Sequence, residues 1–150
     1  MRILPISSED CSELLQRISF GRLACSLNDQ PYVVPVGFSY EPEQIYVFAT
    51  MGKKIEWMRQ NPKVCLQVDE IGSRSTWTSV IVTGTYVELR QPQYSAERER
   101  ARSRLGQTVQ WWLTPLAGRR EQVDDLAIEP LFFRIDIKSM TGLRALPEAE

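Results

Sequence analysis

Short segments of alternating apolar and polar residues, bounded by turn residues, constrain the fold of this chain more than any other feature. In residues 21–27, Leu23 and Cys25 point to one side of an extended chain, and Arg22 and Ala24 point to the other. Clusters of Asn, Asp, Pro and Glu separate this segment from the next ones. The same reasoning predicts six strands, over 21–27, 32–40, 45–49, 64–68, 77–89 and 131–137.

Three short helices interrupt the strands, and the sequence predicts them over 7–17, 53–60 and 92–105. Gly84 lies inside the long fifth strand, where it indicates a bulge or a sharp bend. Six strands with a few short helices indicate a mainly β architecture, a closed or split barrel, because closure removes exposed sheet edges. The length suits one domain over 1–150, and the long connection 106–129 is of a kind that is usually functional or interfacial.

The chain contains no histidine, which excludes Ser-His-Asp and Cys-His catalysis and most zinc sites. Cys11, Cys25 and Cys65 are far apart and indicate free thiols rather than disulfides or a metal site. The net charge of −1 gives no general attraction to nucleic acid or to an acidic membrane. The first residues hold no long apolar run, so we expect no secretion signal, no membrane span and a cytoplasmic location.

The stretch from Thr50 to Lys54 carries the strongest signal for a ligand. It follows a predicted strand and opens a predicted helix, whose first N–H groups are unpaired and carry partial positive charge. Gly52 lets the backbone approach a ligand, Lys53 and Lys54 add full charges, and Thr50 adds a hydroxyl. These features describe a phosphate site. A turn glycine followed by two solvated lysines fits the residues equally well.

Three other places combine residues that could line a site. Pro35 lies inside the second predicted strand, so that strand is an edge or faces a ligand there. Trp77 and Ser79 share one face of the fifth strand and could line a pocket or lie in an ordinary core. Trp111 and Trp112 lie in an irregular connection and fit an interface, a ring-stacking site or a small separate core.

The arginine-rich stretch 97–104 reads as a solvated helix rather than a nucleic-acid site. Arginines at every second position cannot all lie on one helix face. Glu97 and Arg100, and likewise Glu99 and Arg102, are spaced for ion pairs along the helix.

Taken together, these segments resemble the pyridoxamine 5′-phosphate oxidase-like, FMN-binding split-barrel family, and more narrowly its branch of small 5-nitroimidazole reductase-like flavoproteins. The resemblance covers most of the chain in order and spacing. Its segments are Gly21-Arg22-Leu23-Ala24, Val34-Pro35-Val36-Gly37-Phe38, Gly52-Lys53-Lys54, Asn61-Pro62, Val68-Asp69-Glu70, Trp77-Thr78-Ser79-Val80 with Gly84, and Phe133-Arg134-Ile135 leading to Thr141-Gly142.

The resemblance implies a six-stranded split barrel that forms a homodimer, with two flavin sites in the clefts between the chains. FMN would be the cofactor, and a small molecule would be the substrate of its redox chemistry. The strand around Val34, Pro35 and Val36 would offer backbone contacts to the isoalloxazine ring.

The remaining site residues also come from the resemblance. Thr50, Lys53 and Lys54 would hold the phosphate, Ser79 would lie near the ring, and Trp111 would reach the flavin of the partner chain. Nothing in the sequence marks a catalytic acid or base.

Two departures from the family pattern leave the activity open. The branch often carries a histidine where the third strand ends, and this chain has Phe48 or Ala49 there. The arginines that bind substrate phosphate in true pyridoxamine phosphate oxidases have no clear counterparts, so we do not predict that reaction. The alternatives to a flavin-dependent oxidoreductase are a non-enzymatic flavin-binding or storage module, the same fold with a deazaflavin or haem, and a structural dimer with an empty cleft.

Overall fold

A computed structural model describes residues 1–108 and 130–148, which contain seven strands and three helices. The strands are β1 (Arg2–Pro5), β2 (Phe20–Leu27), β3 (Gln30–Glu41), β4 (Gln44–Ala49), β5 (Lys63–Ser73), β6 (Thr76–Glu88) and β7 (Leu131–Leu146). The helices are α1 (Ser8–Arg17), α2 (Lys53–Gln60) and α3 (Ser95–Thr108).

Six of the strands form a closed antiparallel ring in the order β7-β4-β3-β2-β5-β6, which closes where β6 pairs with β7. These are the six strands that the alternation predicts, and the mainly β split-barrel fold is confirmed. The seventh strand, β1, pairs with the end of β7, from Arg2 opposite Leu146 to Pro5 opposite Leu143. All four of its residues are exposed, so it has no buried face that alternation could have marked.

Two tight turns connect β2, β3 and β4 as the sequence predicts. Asn28 and Asp29 both have positive φ, 51° and 64°, which matches the right-handed twist of a two-residue hairpin. Glu43 follows Pro42 with φ 74°, the conformation of the third residue of a type II turn. These turns make β2, β3 and β4 a meander.

Gly84 marks the bulge that the sequence predicts inside the fifth strand of the ring. The β6–β7 register shifts between Thr83 and Gly84. A Cβ atom at Gly84 would lie 2.3 Å from the carbonyl oxygen of Asp136, so only glycine fits this close approach of two backbones. The shift lets the two longest strands keep pairing while the barrel curves.

Several boundaries differ from those expected. β5 continues through Ser73 rather than stopping near residue 68, and β7 runs to Leu146 rather than stopping near residue 137. Asn61 ends α2 in an extended conformation (φ −131°) rather than in the left-handed one that asparagine often adopts there. Its side chain instead donates a hydrogen bond to the carbonyl of Ser26, which ties the helix end to β2.

The barrel interior is one continuous apolar cluster, with Leu23, Phe38, Leu66 and Val80 fully buried. α1 joins this core through Cys11, Leu14 and Leu15, and Ser7 caps the helix by accepting a hydrogen bond from the N–H of Asp10. Burial of these side chains supplies most of the driving force for the fold.

α3 lies outside the barrel and is held by a small apolar cluster and by ion pairs. Its Ala101 and Leu105 contribute to a small second cluster with Tyr46, Leu89 and Phe132. The expected pairing of Glu97 with Arg100 is wrong, because other carboxylates and cations of the barrel compete for both. The pairs observed are Arg100 and Arg104 with the buried Glu41, and Glu97 with Arg134, whereas Glu99 pairs with Arg102 at 3.9 Å as expected.

Candidate functional site: an anion cradle beside an open strand edge

β3 changes partners halfway along its length, and this opens a gap in the barrel wall. From Gln30 to Gly37 it pairs with β2, and from Phe38 to Glu41 it pairs with β4. The β3–β4 ladder stops at Phe38, so the first eight residues of β3 have a ladder on one side only. The gap on the other side lies between β3 and the end of β4.

The direction of the backbone groups along this edge follows from one hydrogen bond. The N–H of Phe38 donates to the carbonyl of Ser19, on the β2 side. Because bonded and non-bonded pairs alternate in an antiparallel ladder, even-numbered residues of β3 face β2 and odd-numbered ones face the gap. Pro31 and Pro35 are both odd-numbered, where the missing N–H costs no ladder bond.

The gap is therefore lined by the N–H groups of Val33 and Gly37 and the carbonyl oxygens of Val33, Pro35 and Gly37. Backbone contacts to a ligand are expected from the strand around Val34, Pro35 and Val36. The register places the backbone groups of Val34 and Val36 against β2, opposite Leu23 and Gly21, so in this strand Pro35 and its odd-numbered neighbours present their backbone groups to the gap.

α2 begins just after the end of β4, and in the described part of the chain no side chain caps its N-terminus. Gly52 is the N-cap residue, with an extended backbone (φ 174°), and a Cβ atom there would meet nothing within 4 Å. The space beside the helix start is therefore open at Gly52. An uncapped helix N-terminus in open space favours an anion.

Lys53 and Lys54 differ in environment although they are adjacent. The Lys53 side chain is exposed, and its Nζ lies 4.8 Å from the centre of the Trp57 ring and 5.1 Å from that of Tyr32. The two rings are 5.6 Å apart and tilted by 55°. Lys53 is held by cation–π contacts that link the start of α2 to β3.

Lys54 is half-buried, and within residues 1–108 and 130–148 it has no carboxylate partner. Loss of hydration lowers the pKa of Lys54, an effect that its interaction with Cys25 partly offsets. Burial likewise raises the pKa of the Cys25 thiol, so this cysteine is a neutral core residue. A nearby anion stabilises an ammonium group that has lost water without gaining a carboxylate.

Thr50 lies between β4 and α2 and is half-buried. It belongs to what we call the anion cradle, which consists of Thr50, Lys53, Lys54 and the first N–H groups of α2. In the described ranges the Thr50 hydroxyl makes no hydrogen bond. Thr50, Lys53 and Lys54 therefore lie together at the start of α2, and Lys53 reaches Tyr32 of β3.

Ser79 lies elsewhere, on the outward face of the sheet. It pairs with Asp69 and is three strands away from β3 in the ring, about 14 Å along the sheet at the usual strand spacing. Gln67 donates a hydrogen bond of 3.1 Å to the Ser79 hydroxyl. Ser79 therefore lies on a different part of the sheet from the edge of β3. Trp111 lies outside the described residues.

Tyr32, Trp57 and Gln67 are not among the residues that the sequence singled out. Tyr32 and Trp57 carried an available signal, since both are aromatic residues flanking the predicted phosphate site. Gln67 carried none, because a glutamine on the polar side of an alternating strand is ordinary.

In the part of the chain that is described, no group of three or more His, Cys, Asp or Glu residues is placed to hold a metal ion. Nor does any helix in those ranges have the length and apolar character needed to cross a membrane.

Comparisons with known proteins agree with this architecture. A family model described as pyridoxamine 5′-phosphate oxidase matches residues 7–144. An uncharacterized protein of Rhizobium meliloti (strain 1021) is 38% identical over 146 residues, which is 97% of each chain. The crystal structure of a FAD-binding protein from Mesorhizobium loti is 37% identical, covers 98% of this chain and 99% of that one, and has a TM-score of 0.79.

A more distant structure shares the fold. It is that of a protein proposed as a 5-nitroimidazole antibiotic resistance protein in Bacteroides thetaiotaomicron, 15% identical over 96% of this chain and 89% of that one, with a TM-score of 0.68.

Proposed function

Because this chain belongs to the pyridoxamine 5′-phosphate oxidase family, we propose that it binds a flavin whose phosphate occupies the cradle at the start of α2. The observation that carries the proposal is the half-buried Lys54 without a carboxylate partner in the described ranges, beside an uncapped helix N-terminus. Two independent anion-binding features converge there, and the open edge of β3 lies across the same gap.

The residues present suit each part of a flavin. Lys54 and the first N–H groups of α2 would hold the phosphate, and Thr50 would add a hydroxyl donor. Lys53 would contribute after leaving its aromatic neighbours. The edge of β3 offers N–H and C=O groups in one row, which suits the rim of the isoalloxazine ring, where hydrogen-bond donors and acceptors alternate.

FMN is the simplest ligand that satisfies these contacts, and we propose it as the cofactor. FAD is the second candidate, because the Mesorhizobium loti protein of 37% identity is called FAD-binding. Both contain the same ribityl phosphate, so the cradle suits either. Mass spectrometry of the small molecule released from purified protein by denaturation distinguishes them.

We further propose that the protein is an oxidoreductase acting on a small molecule. A bound flavin supplies the transfer of electrons or hydride. The chain contributes binding, orientation and exclusion of water, and no described side chain is placed as an acid or base against the edge of β3. Turnover of a reduced nicotinamide cofactor with an electron acceptor supports an enzyme, whereas flavin-loaded protein without turnover supports a binding or storage module.

A homodimer would complete the site. Exposed apolar side chains on the outward face of the sheet include Val33 (61%), Ile71 (71%), Ile81 (44%) and Leu143 (46%). Their register places them on the same face as Ser79. Pairing of two such faces would cover these side chains and bring the Ser79 of one copy toward the cradle of the other.

Light scattering after size-exclusion chromatography tests the dimer. We expect the wild-type protein to elute as a dimer and Ile81→Glu, which buries a charge in the paired faces, to elute as a monomer with reduced flavin content. A monomeric wild-type protein that retains flavin would contradict the two-chain site.

We expect the protein in the cytoplasm.

The direct test of the proposed function is the visible spectrum of the purified protein. Bands at about 370 and 450 nm identify an oxidised flavin. Colourless protein that takes up neither FMN nor FAD on titration would refute the proposal.

A further inference from the structure

A row of hydrogen-bonded polar side chains crosses the outward face of the sheet and ends at Ser79. The Arg22 guanidinium lies 3.4 Å from Asp69 Oδ2, and the Gln67 amide lies 2.9 Å from the same oxygen. Gln67 Nε2 also lies 3.1 Å from Ser79 Oγ. Gln67, Asp69 and Ser79 are all partly buried.

Asp69 fixes the orientation of the Gln67 amide. An ionised carboxylate only accepts hydrogen bonds, so the Gln67 atom next to it has to be the nitrogen. The same nitrogen reaches Ser79, and its two hydrogens are shared between the carboxylate and the hydroxyl. The Arg22 guanidinium donates to the same carboxylate from the other side of the pair.

The hydroxyl of Ser79 therefore accepts from Gln67, and its own proton remains available to another acceptor. Residues 1–108 and 130–148 provide no acceptor for it. The hydroxyl is flanked on the same face by Ile81 and Leu143, which are 44% and 46% exposed. One oriented donor among apolar side chains is the usual arrangement for recognising the polar rim of a ring.

We propose that Asp69, acting through Gln67, sets Ser79 as a hydrogen-bond donor to a carbonyl oxygen of the flavin ring. This assignment rests on the proposed function and deepens it. Asp69 and Gln67 are positioning residues, since neither contacts the ligand itself. The flavin ring carries its two carbonyl oxygens on one side, so a donor there also selects the orientation of the ring.

A double variant reverses the direction of these hydrogen bonds without changing the net charge. In Gln67→Glu with Asp69→Asn, the amide of residue 69 donates to the carboxylate of residue 67, which can then only accept from Ser79. The proton of Ser79 is consumed within the protein. Ser79→Ala removes the donor outright, Ser79→Thr keeps it, and Thr83→Val on the same face serves as a matched control.

FMN titration of the flavin-free dimer and the visible spectrum of each complex give the test. We expect the double variant and Ser79→Ala to weaken FMN binding by the same factor, about 2- to 12-fold, and to shift the flavin bands in the same direction. We expect Ser79→Thr and Thr83→Val to match the wild type. A double variant with wild-type affinity and spectrum would overturn the assignment.

The outcome also separates this inference from the proposed function. If Ser79→Ala retains the wild-type affinity and spectrum, Ser79 is not a donor to the flavin, while flavin binding at the cradle stands. If the wild-type protein takes up no flavin, the proposed function fails, and the role of Ser79 fails with it.

Discussion

Replacing Lys54 by Met should affect the empty and the flavin-loaded protein in opposite directions. Met keeps the length of the side chain and removes its charge. In the empty protein the half-buried ammonium has lost hydration, which lowers the pKa of Lys54, and it has no carboxylate partner in the described ranges. The variant should therefore unfold at the same temperature as the empty wild-type protein or at a higher one.

Flavin binding should weaken in the same variant. A hydrogen bond to a charged group contributes about 1.5–3 kcal/mol, which corresponds to about 10- to 150-fold in the dissociation constant of FMN. Lys53→Met is the matched control. Lys53 is exposed and has to leave two aromatic rings to reach the phosphate, so its loss should cost less than about tenfold.

The pH dependence of stability tests the burial of the Lys54 ammonium independently. Between the lowered pKa of Lys54 and its ordinary value of 10.5, the unfolded chain binds more protons than the folded one. Stability of the empty wild-type protein relative to the variant should therefore rise with pH in that window and be lowest below it.

Thermal unfolding by circular dichroism and titration of flavin fluorescence measure the two effects. A Lys54→Met protein that melts well below the empty wild type and binds FMN as tightly would refute the reasoning. It would show that Lys54 stabilises the fold and does not contact the phosphate.

Three further predictions concern the scaffold. Gly84→Ala places a Cβ atom 2.3 Å from the carbonyl oxygen of Asp136 and should lower the free energy of unfolding in urea by about 1–3 kcal/mol or more. Gly106→Ala, whose Cβ atom meets nothing within 4 Å, should not lower it. Equal losses in the two variants would contradict the close approach at Gly84. Hydrogen bonds from arginines and a tyrosine hold the pKa of Glu88 at about 2. The ionised Glu88 should therefore add about 3 kcal/mol at most to the free energy of unfolding above pH 4.5, and this contribution should be lost toward pH 2. The stability of Glu88→Gln should lack this pH dependence. Glu41→Gln should speed amide hydrogen exchange in α3 and leave the barrel strands unchanged, and uniform changes across both would argue against an ion-paired attachment of α3.

Much of the scaffold can be predicted from local sequence patterns. The six ring strands alternate because each has one face in the barrel core, and α2 has the bounds 53–60 that its flanking glycine and proline indicate. Gly84 could be identified as a bulge because a glycine inside a β-branched strand weakens the strand and usually marks a bulge or a close backbone approach. β1 could not be found this way, since its four residues are exposed and its only partner, β7, is more than 130 residues away.

The site was predictable in its parts but not in its arrangement. The lysines and the helix start were visible in the sequence. The different environments of the two lysines were not visible, because the ring of Tyr32 comes from β3 and the neighbour of Lys54, Cys25, comes from β2. The sequence did hold a sign of which backbone groups of β3 face the gap. Prolines lack an N–H group, so Pro31 and Pro35 indicate that the odd-numbered residues point away from the neighbouring strand.

A comparison of FMN with riboflavin, which lacks only the phosphate, tests the central claim most directly. Lys54 and the start of α2 together should favour the phosphorylated ligand by at least about 30-fold in the dissociation constant. Lys54→Met should remove most of that difference by weakening FMN alone. Equal affinities of the wild-type protein for FMN and riboflavin would contradict the account, because the cradle would then contribute nothing to binding.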